Sequence, residues 1–254
     1  MSSQTQTLEE KAQTIVFKIF RYDASKGKSP TFRSYEVPVV RGMTVLDALL
    51  YIRQNLDPTI SFRVSCRMGI CGSCGMLINM VPRLACQTQI LPLKAKVIEL
   101  APLPNFPVIK DLVVDMDGFF EKHKEVKPYL YRIDRAEQEN PKGEYLQTPQ
   151  ELEAYLQFAY CIKCGLCYSA CPTTATDKRF LGPQALSQSY RYSADSRDQG
   201  FKLRVPVVDD PHGLWRCHFA GACSYVCPKG VDPALAIQLM KKAVITGKKP
   251  LPLR

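Results

Sequence analysis

Eleven cysteines in 254 residues constrain this chain more than any other feature. Four lie early (Cys66, Cys71, Cys74, Cys86), none lies between 87 and 160, and the other seven follow. A disulfide framework is the wrong use for them. The opening MSSQTQTLEEK lacks a basic stretch followed by an apolar one, so no secretory signal is expected, and its Glu9 and Glu10 do not suit an acidic-poor transit peptide. An odd count would also leave one thiol over. No apolar run approaches the ~18 residues of a membrane span, so the chain is expected to be soluble. Metal binding is left as the leading role for the thiols.

The spacings narrow the metal. Cys66-x4-Cys71-x2-Cys74-x11-Cys86 is the pattern of a plant-type [2Fe–2S] site, with Gly69, Gly72, Ser73 and Gly75 interleaved. Small residues let the backbone come close and aim its amides at the sulfurs, stabilising the charge that arrives on reduction. A structural zinc is the competing reading, although the paired C-x2-C spacing usual for zinc is missing.

Cys161-x2-Cys164-x2-Cys167-x3-Cys171-Pro172 is the bacterial ferredoxin run, and Cys217-x5-Cys223-x3-Cys227-Pro228 repeats it with Ala220 where Cys164 has its counterpart. In two-cluster ferredoxins the fourth cysteine of each run ligates the other cluster. That rule assigns Cys161, Cys164, Cys167 and Cys227 to a [4Fe–4S] cluster. It leaves Cys171, Cys217 and Cys223 for a second centre that lacks a fourth thiolate. A [3Fe–4S] cluster follows, the alternative being a labile [4Fe–4S] with water or hydroxide on the open iron. Divided four, four and three, every cysteine is used.

The Pro-rich stretch Ala101–Pro107 and the polar stretch Asp134–Gly143 read as connections, so two domains joined between residues 105 and 145 are expected. In the first, Ile15, Phe17 and Ile19 alternate with their neighbours, and with Tyr35–Val39 they suggest a hairpin. Thr44 caps an amphipathic helix carrying Val45, Leu46, Leu49, Leu50 and Leu56. Strands over Met76–Asn79, Arg83–Gln89 and Lys96–Leu100 complete a small sheet. In the second, Thr148-Pro149-Gln150-Glu151 is a capping box leading a helix to the next cysteines, and Asp232-Pro233 opens another through about Ile245, closed by Gly247.

Three clusters with no nucleotide-binding glycine loop and no flavin motif describe a wire that moves single electrons between two-electron partners. The chain resembles the iron–sulfur subunit of succinate dehydrogenase and fumarate reductase, the complex II family. The likeness is carried by Ser65–Gly75, Asn105-Phe106-Pro107, Asp111–Asp115, Cys161–Cys167, Ser196-Arg197-Asp198 and Cys227–Pro233. It implies an α+β architecture: an N-terminal β-grasp plant-type [2Fe–2S] ferredoxin domain over residues 1–115, then an all-α bacterial-ferredoxin-like domain over 116–254. It further implies a flavoprotein partner with covalent FAD that interconverts succinate and fumarate, and a transmembrane anchor that binds quinone, often with haem b. The chain would then sit peripherally on the cytoplasmic side of the inner membrane, as part of the respiratory chain and the tricarboxylic acid cycle.

At the quinone end the resemblance is mixed. Residues 171–176, Cys-Pro-Thr-Thr-Ala-Thr, lack the tryptophans usual in succinate–ubiquinone members, while Gln238 and Lys241 match pocket positions of fumarate reductases. His218 resembles the succinate–ubiquinone type. On balance menaquinone is expected, with Pro172, His218, Gln238 and Lys241 as the quinone-side residues. A Rieske-type ligand role for His218 would need paired histidines, Trp215 suits packing, and Lys241 and Lys242 could equally be helix-end charges.

The formal net charge is +10, and residues 201–254 hold nine Lys and Arg against three Asp, which suits anionic headgroups or the anchor. No aromatic–basic module for nucleic acid is present, so no nucleic-acid partner is expected. The competing function is a ferredoxin-like carrier serving a different, soluble flavoenzyme complex.

Overall fold

A computed structural model of the chain describes residues 13–27 and 29–250. They form two compact units, one of residues up to 102 with 108–114, the other of 103–107 with 115 onward.

The first unit is a five-stranded mixed sheet over one helix. Strands β1 (Gln13–Arg21) and β2 (Thr31–Val39) pair antiparallel along their whole length, from Gln13 opposite Val39 to Arg21 opposite Thr31. Alternation buries Ile15, Phe17 and Ile19 on one face, with Tyr35, Val37 and Val39 beside them. Helix α1 (Val45–Asn55) covers that face with Val45, Leu46, Ala48, Leu49 and Ile52. It begins at a reciprocal capping box, in which Thr44 Oγ1 accepts from Asp47 N and Asp47 Oδ2 accepts from Thr44 N.

Strands β3 (Gly75–Ile78), β4 (Val81–Leu84) and β5 (Val97–Ala101) complete the order β2-β1-β5-β3-β4, with β1 and β5 parallel. A mixed sheet holding one helix against its face is the β-grasp arrangement. The strand expected over Arg83–Gln89 ends at Leu84. Beyond it, the amides of Gln87 and Thr88 and the Thr88 hydroxyl all donate to the Leu84 carbonyl, and this tight turn carries Cys86.

A small hairpin, β6 (Val108–Lys110) and β7 (Val113–Val114), belongs to this unit. Asp111, at φ +47, fixes its turn: its carboxylate accepts from Arg21 Nε at 3.0 Å, Tyr22 N at 3.0 Å and Ser61 N at 2.9 Å. Arg21 also donates to Asp57 Oδ2 at 2.6 Å and to the Tyr35 hydroxyl at 2.7 Å.

The second unit is helical, with no strand among its described residues. Its elements are α2 (Asp117–Glu125), α3 (Arg135–Glu139), α4 (Pro149–Glu153), α5 (Leu156–Ala159), α6 (Leu166–Ala170), α7 (Pro172–Thr176), α8 (Pro183–Ala194), α9 (Phe201–Val208), α10 (Ala222–Tyr225) and α11 (Pro233–Thr246). The helix expected from Thr148 to the cysteines is two pieces. It breaks at Tyr155, which leaves helical geometry at φ −131°, buries its ring and donates its hydroxyl to Gln147 Oε1.

Helix α8 is the axis of this unit and packs along α11. Phe158, Phe180, Leu186, Tyr190, Val208, Leu214, Ile237 and Met240 fill the space around it. A fully buried pair braces the core: Arg204 donates to both oxygens of Asp198 and to the carbonyls of Lys127 and Tyr129. With its donors so engaged, removing either partner would strand a charge, at a cost of about 3–5 kcal/mol. Residues 103–107 join the unit through Asn105, whose amide donates to the carbonyls of Tyr168 and Ser169 and to Thr174 Oγ1.

Candidate metal centres

All eleven cysteines are free thiols. Three of the four early ones lie on the irregular segment between α1 and β3, and Cys86 sits in the turn after β4. Backbone amides converge on the sulfurs: Met68, Ile70 and Cys71 donate to Cys66 Sγ at 3.5, 3.3 and 3.3 Å, Cys66 N to Cys71 Sγ at 3.5 Å, and Cys86 N to Cys74 Sγ at 3.4 Å. This is the amide orientation read from the interleaved small residues, and it favours sulfur carrying negative charge.

The four differ in exposure. Cys71 faces solvent, and hydrogen bonding from Ser73, with help from backbone amides, draws its thiol down to about 6. Cys74 is buried, and burial pushes its thiol up to about 12.

In the helical unit the two cysteine runs exchange members. An open cavity of about 400 Å³ is lined by Cys161, Cys164, Cys167 and Cys227, with Gln184, Ser187 and Val231 among the other walls. A second, of about 330 Å³, is lined by Cys171, Cys217 and Cys223, with Pro172, His218 and Ala220. Each cavity therefore takes the last cysteine of the opposite run.

The backbone repeats as well as the sequence. Lys163 and Phe219 stand at φ +55 and +59, and Gly165 and Gly221 at φ +79 and +74, each glycine opening a short helix (α6 and α10). The left-handed turn suits glycine because a Cβ there crowds the following carbonyl.

Burial raises four thiols of this unit: Cys164 to about 12, Cys223 to about 11, Cys161 in the same direction and Cys167 well above the ordinary range. Left bare they hold their protons, so loading metal means releasing protons and supplying the positive charge that burial otherwise denies.

A lone zinc would need its ligands to converge at about 2.3 Å. Among the described residues no three His, Cys, Asp or Glu side chains converge to hold a single ion. Several thiols spread around one opening in each room, together with the amides aimed at Cys66, Cys71 and Cys74, suit inorganic clusters that several sulfurs hold at once. Where Cys164 lines the first room, the second has the methyl group of Ala220.

Known proteins match most of this chain. A model described as a 2Fe-2S iron-sulfur cluster binding domain matches residues 16–121, and a 4Fe-4S dicluster domain matches 157–231. The fumarate reductase iron-sulfur subunit of Mycobacterium tuberculosis (strain CDC 1551 / Oshkosh) is 51% identical over 232 residues, covering 91% of this chain and 93% of its own length. The chain belongs to the family of fumarate reductase iron–sulfur subunits. The subunit of the same description from Escherichia coli O6:H1 is 45% identical over 226 residues, 89% of this chain and 91% of that one. Among solved structures, a chain of the Mycobacterium smegmatis Sdh1 complex in the apo form superposes with a TM-score of 0.82 at 25% identity, covering 93% of this chain and 98% of that one.

As a fumarate reductase/succinate dehydrogenase iron–sulfur subunit, the chain combines a 2Fe–2S domain with a 4Fe–4S domain, and its work is electron transfer within an oxidoreductase of the complex II type. No helix among the described residues is long and apolar enough to cross a membrane.

The other candidate residues of the subunit fall around the three-sulfur room. Pro172 and exposed His218 line it directly. Gln238 and Lys241 lie on α11, whose Ala234 and Ile237 also line it. Gln238 Nε2 is buried without a hydrogen-bond partner, while Lys241 Nζ donates to the Cys217 carbonyl at 3.1 Å and lies 5.8 Å from the Trp215 ring centroid. Lys242 is exposed. Sequence reasoning missed Gln184 and Ser187 in the four-sulfur wall and His123 behind them. The Gly182-Pro183 helix start was the available signal for them.

Proposed function

We propose that Cys66, Cys71, Cys74 and Cys86 hold a [2Fe–2S] cluster, that Cys161, Cys164, Cys167 and Cys227 hold a [4Fe–4S] cluster, and that Cys171, Cys217 and Cys223 hold a [3Fe–4S] cluster. The domain boundary near residue 115 then separates the two-iron site from the other two. The chain relays electrons between the covalent FAD of a flavoprotein partner and a quinone at a transmembrane anchor, which in some assemblies carries haem b. It sits peripherally on the cytoplasmic side of the inner membrane.

The observation that carries this reading is the exchange of Cys227 and Cys171 between the two runs, with Ala220 in the wall of the three-sulfur room. Bound there, the clusters supply one-electron redox chemistry. The chain's residues do the rest. Thiolates hold iron, amides around Cys66 and Cys74 stabilise added negative charge, and Pro172 and Pro228 turn the backbone away after each run. Lys241 fixes the Cys217 carbonyl, and Gln238 lies one turn before that lysine on α11. The absence of tryptophan after Cys171 and the Gln238/Lys241 pair favour menaquinone.

The test is an iron and acid-labile sulfide assay on anaerobically prepared complex, followed by EPR through stepwise reduction and identification of extracted quinone. Nine irons per chain, three distinct signals and co-purifying flavin and anchor chains are expected. Zinc, iron far short of three centres, or a loaded monomer with neither partner overturns the reading.

A further inference from the structure

Helix α8 begins between the two sulfur-lined rooms, with Pro183 in the wall of one and Gln184 and Ser187 in the wall of the other. Gln184 is 2% exposed, a buried polar side chain. Its Nε2 lies 3.1 Å from His123 Nδ1 and 4.0 Å from Cys161 Sγ. Its Oε1 is buried with no partner at all.

A primary amide has two N–H groups, and these two neighbours accept both. The reverse orientation would set a carbonyl oxygen against a sulfur that becomes negative when it binds metal. The imidazole can accept because burial, and then the charge of Lys163, pushes His123 down to about 4, leaving it neutral with a lone pair on Nδ1.

We propose that Gln184 is a tuning residue for the centre held by Cys161, and that His123 is its positioning residue, orienting the amide so that one N–H points at Cys161 Sγ. This rests on the assignment of Cys161, Cys164, Cys167 and Cys227 to the four-iron centre. Reduction adds one electron and no proton, so the added charge spreads onto the sulfurs, and a donor aimed at one of them stabilises the reduced form. The start of a twelve-residue helix beside the same room acts in the same direction. An Oε1 buried without a partner is a cost that a purely structural glutamine would have no reason to bear.

The test is EPR-monitored redox titration of the intact complex. In Gln184→Leu the reduced-to-oxidised ratio of the four-iron centre at a fixed potential falls about tenfold, a ~59 mV drop for a one-electron couple. The two other centres keep their potentials. His123→Ala produces a smaller shift of the same sign. An unchanged potential in Gln184→Leu with full four-iron signal overturns the proposal.

Should that variant fail to assemble, pulsed EPR of reduced wild-type complex carrying glutamine labelled with ¹⁵N in its side-chain amide decides: a ¹⁵N coupling to the four-iron centre supports the proposal, and its absence overturns it. A wild-type complex lacking any four-iron signal removes the ligand assignment itself, a failure distinct from a four-iron centre indifferent to Gln184.

Discussion

The two cysteine runs of the helical unit are near-copies in backbone and unlike in setting. Residues 163 and 219 share one left-handed conformation and residues 165 and 221 another, so the chain turns at the same points in both. The first run is walled in: a Cβ on Gly165 would stand 3.0 Å from both Met116 Cε and Phe106 Cζ. The second is open, with nothing within 4 Å of the corresponding position on Gly221 and with Phe219 59% exposed. Local turn geometry has kept the frame of a cluster site in both places. One side chain, cysteine at 164 and alanine at 220, sets the number of sulfurs each frame presents.

The strongest attack on this comparison is Cys227→Ala. The residue lies in the second run, yet the four-iron EPR signal belonging to the first is expected to vanish. Survival of that signal with loss of the three-iron signal would mean that each run serves its own room. Ala220→Cys sharpens the point. The shared backbone presents a new thiol as it presents Cys164, so the three-iron signal of the oxidised complex should give way to that of a second four-iron centre. A persisting three-iron signal at full iron loading would break the equivalence of positions 164 and 220.

Smaller effects test the settings. Gly221→Ala should cost ~1–2 kcal/mol for the left-handed conformation alone. Gly165→Ala adds the crowding against Phe106 and Met116, a further ~1–3 kcal/mol. The two are compared by denaturant midpoint of the anaerobic holoprotein, and equal costs would show that the walls do not differ.

The smallest effect concerns Asp177, which links the runs. Its carboxylate faces His212 Nδ1 at 2.6 Å and Arg216 Nε at 3.1 Å, and the His212 hydrogen bond leads in holding it down at about 2. A carboxyl lowered in this way stabilises the fold fully above its unfolded value of about 3.9, and the benefit fades as pH falls through its folded value. Asp177→Asn should therefore lower the melting temperature modestly at pH 7, where the contribution is complete. No change there would mean that the tie between the runs carries nothing.

Much of this was legible because cluster sites are local. The run spacings prescribe turns that a few residues complete, and the cap at Thr44 and the capping box at Thr148 formed as read, the former with Asp47 closing a reciprocal box as well. What escaped was set by distant partners. Helix α8 buries Gln184, Ser187, Gln188, Ser189 and Ser193 along with its apolar residues, and hydropathy alone does not announce that these polar side chains lie at the centre of the unit. Helix α9 runs through Pro206. The strand after Val81 stops at Leu84 because the Thr88 hydroxyl and two amides claim one carbonyl, a decision no alternation of side chains announces. The pairing of Gln184 with His123 spans 61 positions and exists only once α2 and α8 are folded.

Reciprocal placement of Cys171 and Cys227 has a consequence for how such a chain matures. Neither room can complete its sulfur set while the other run is out of place, so both runs must be folded together before either room presents all its thiols.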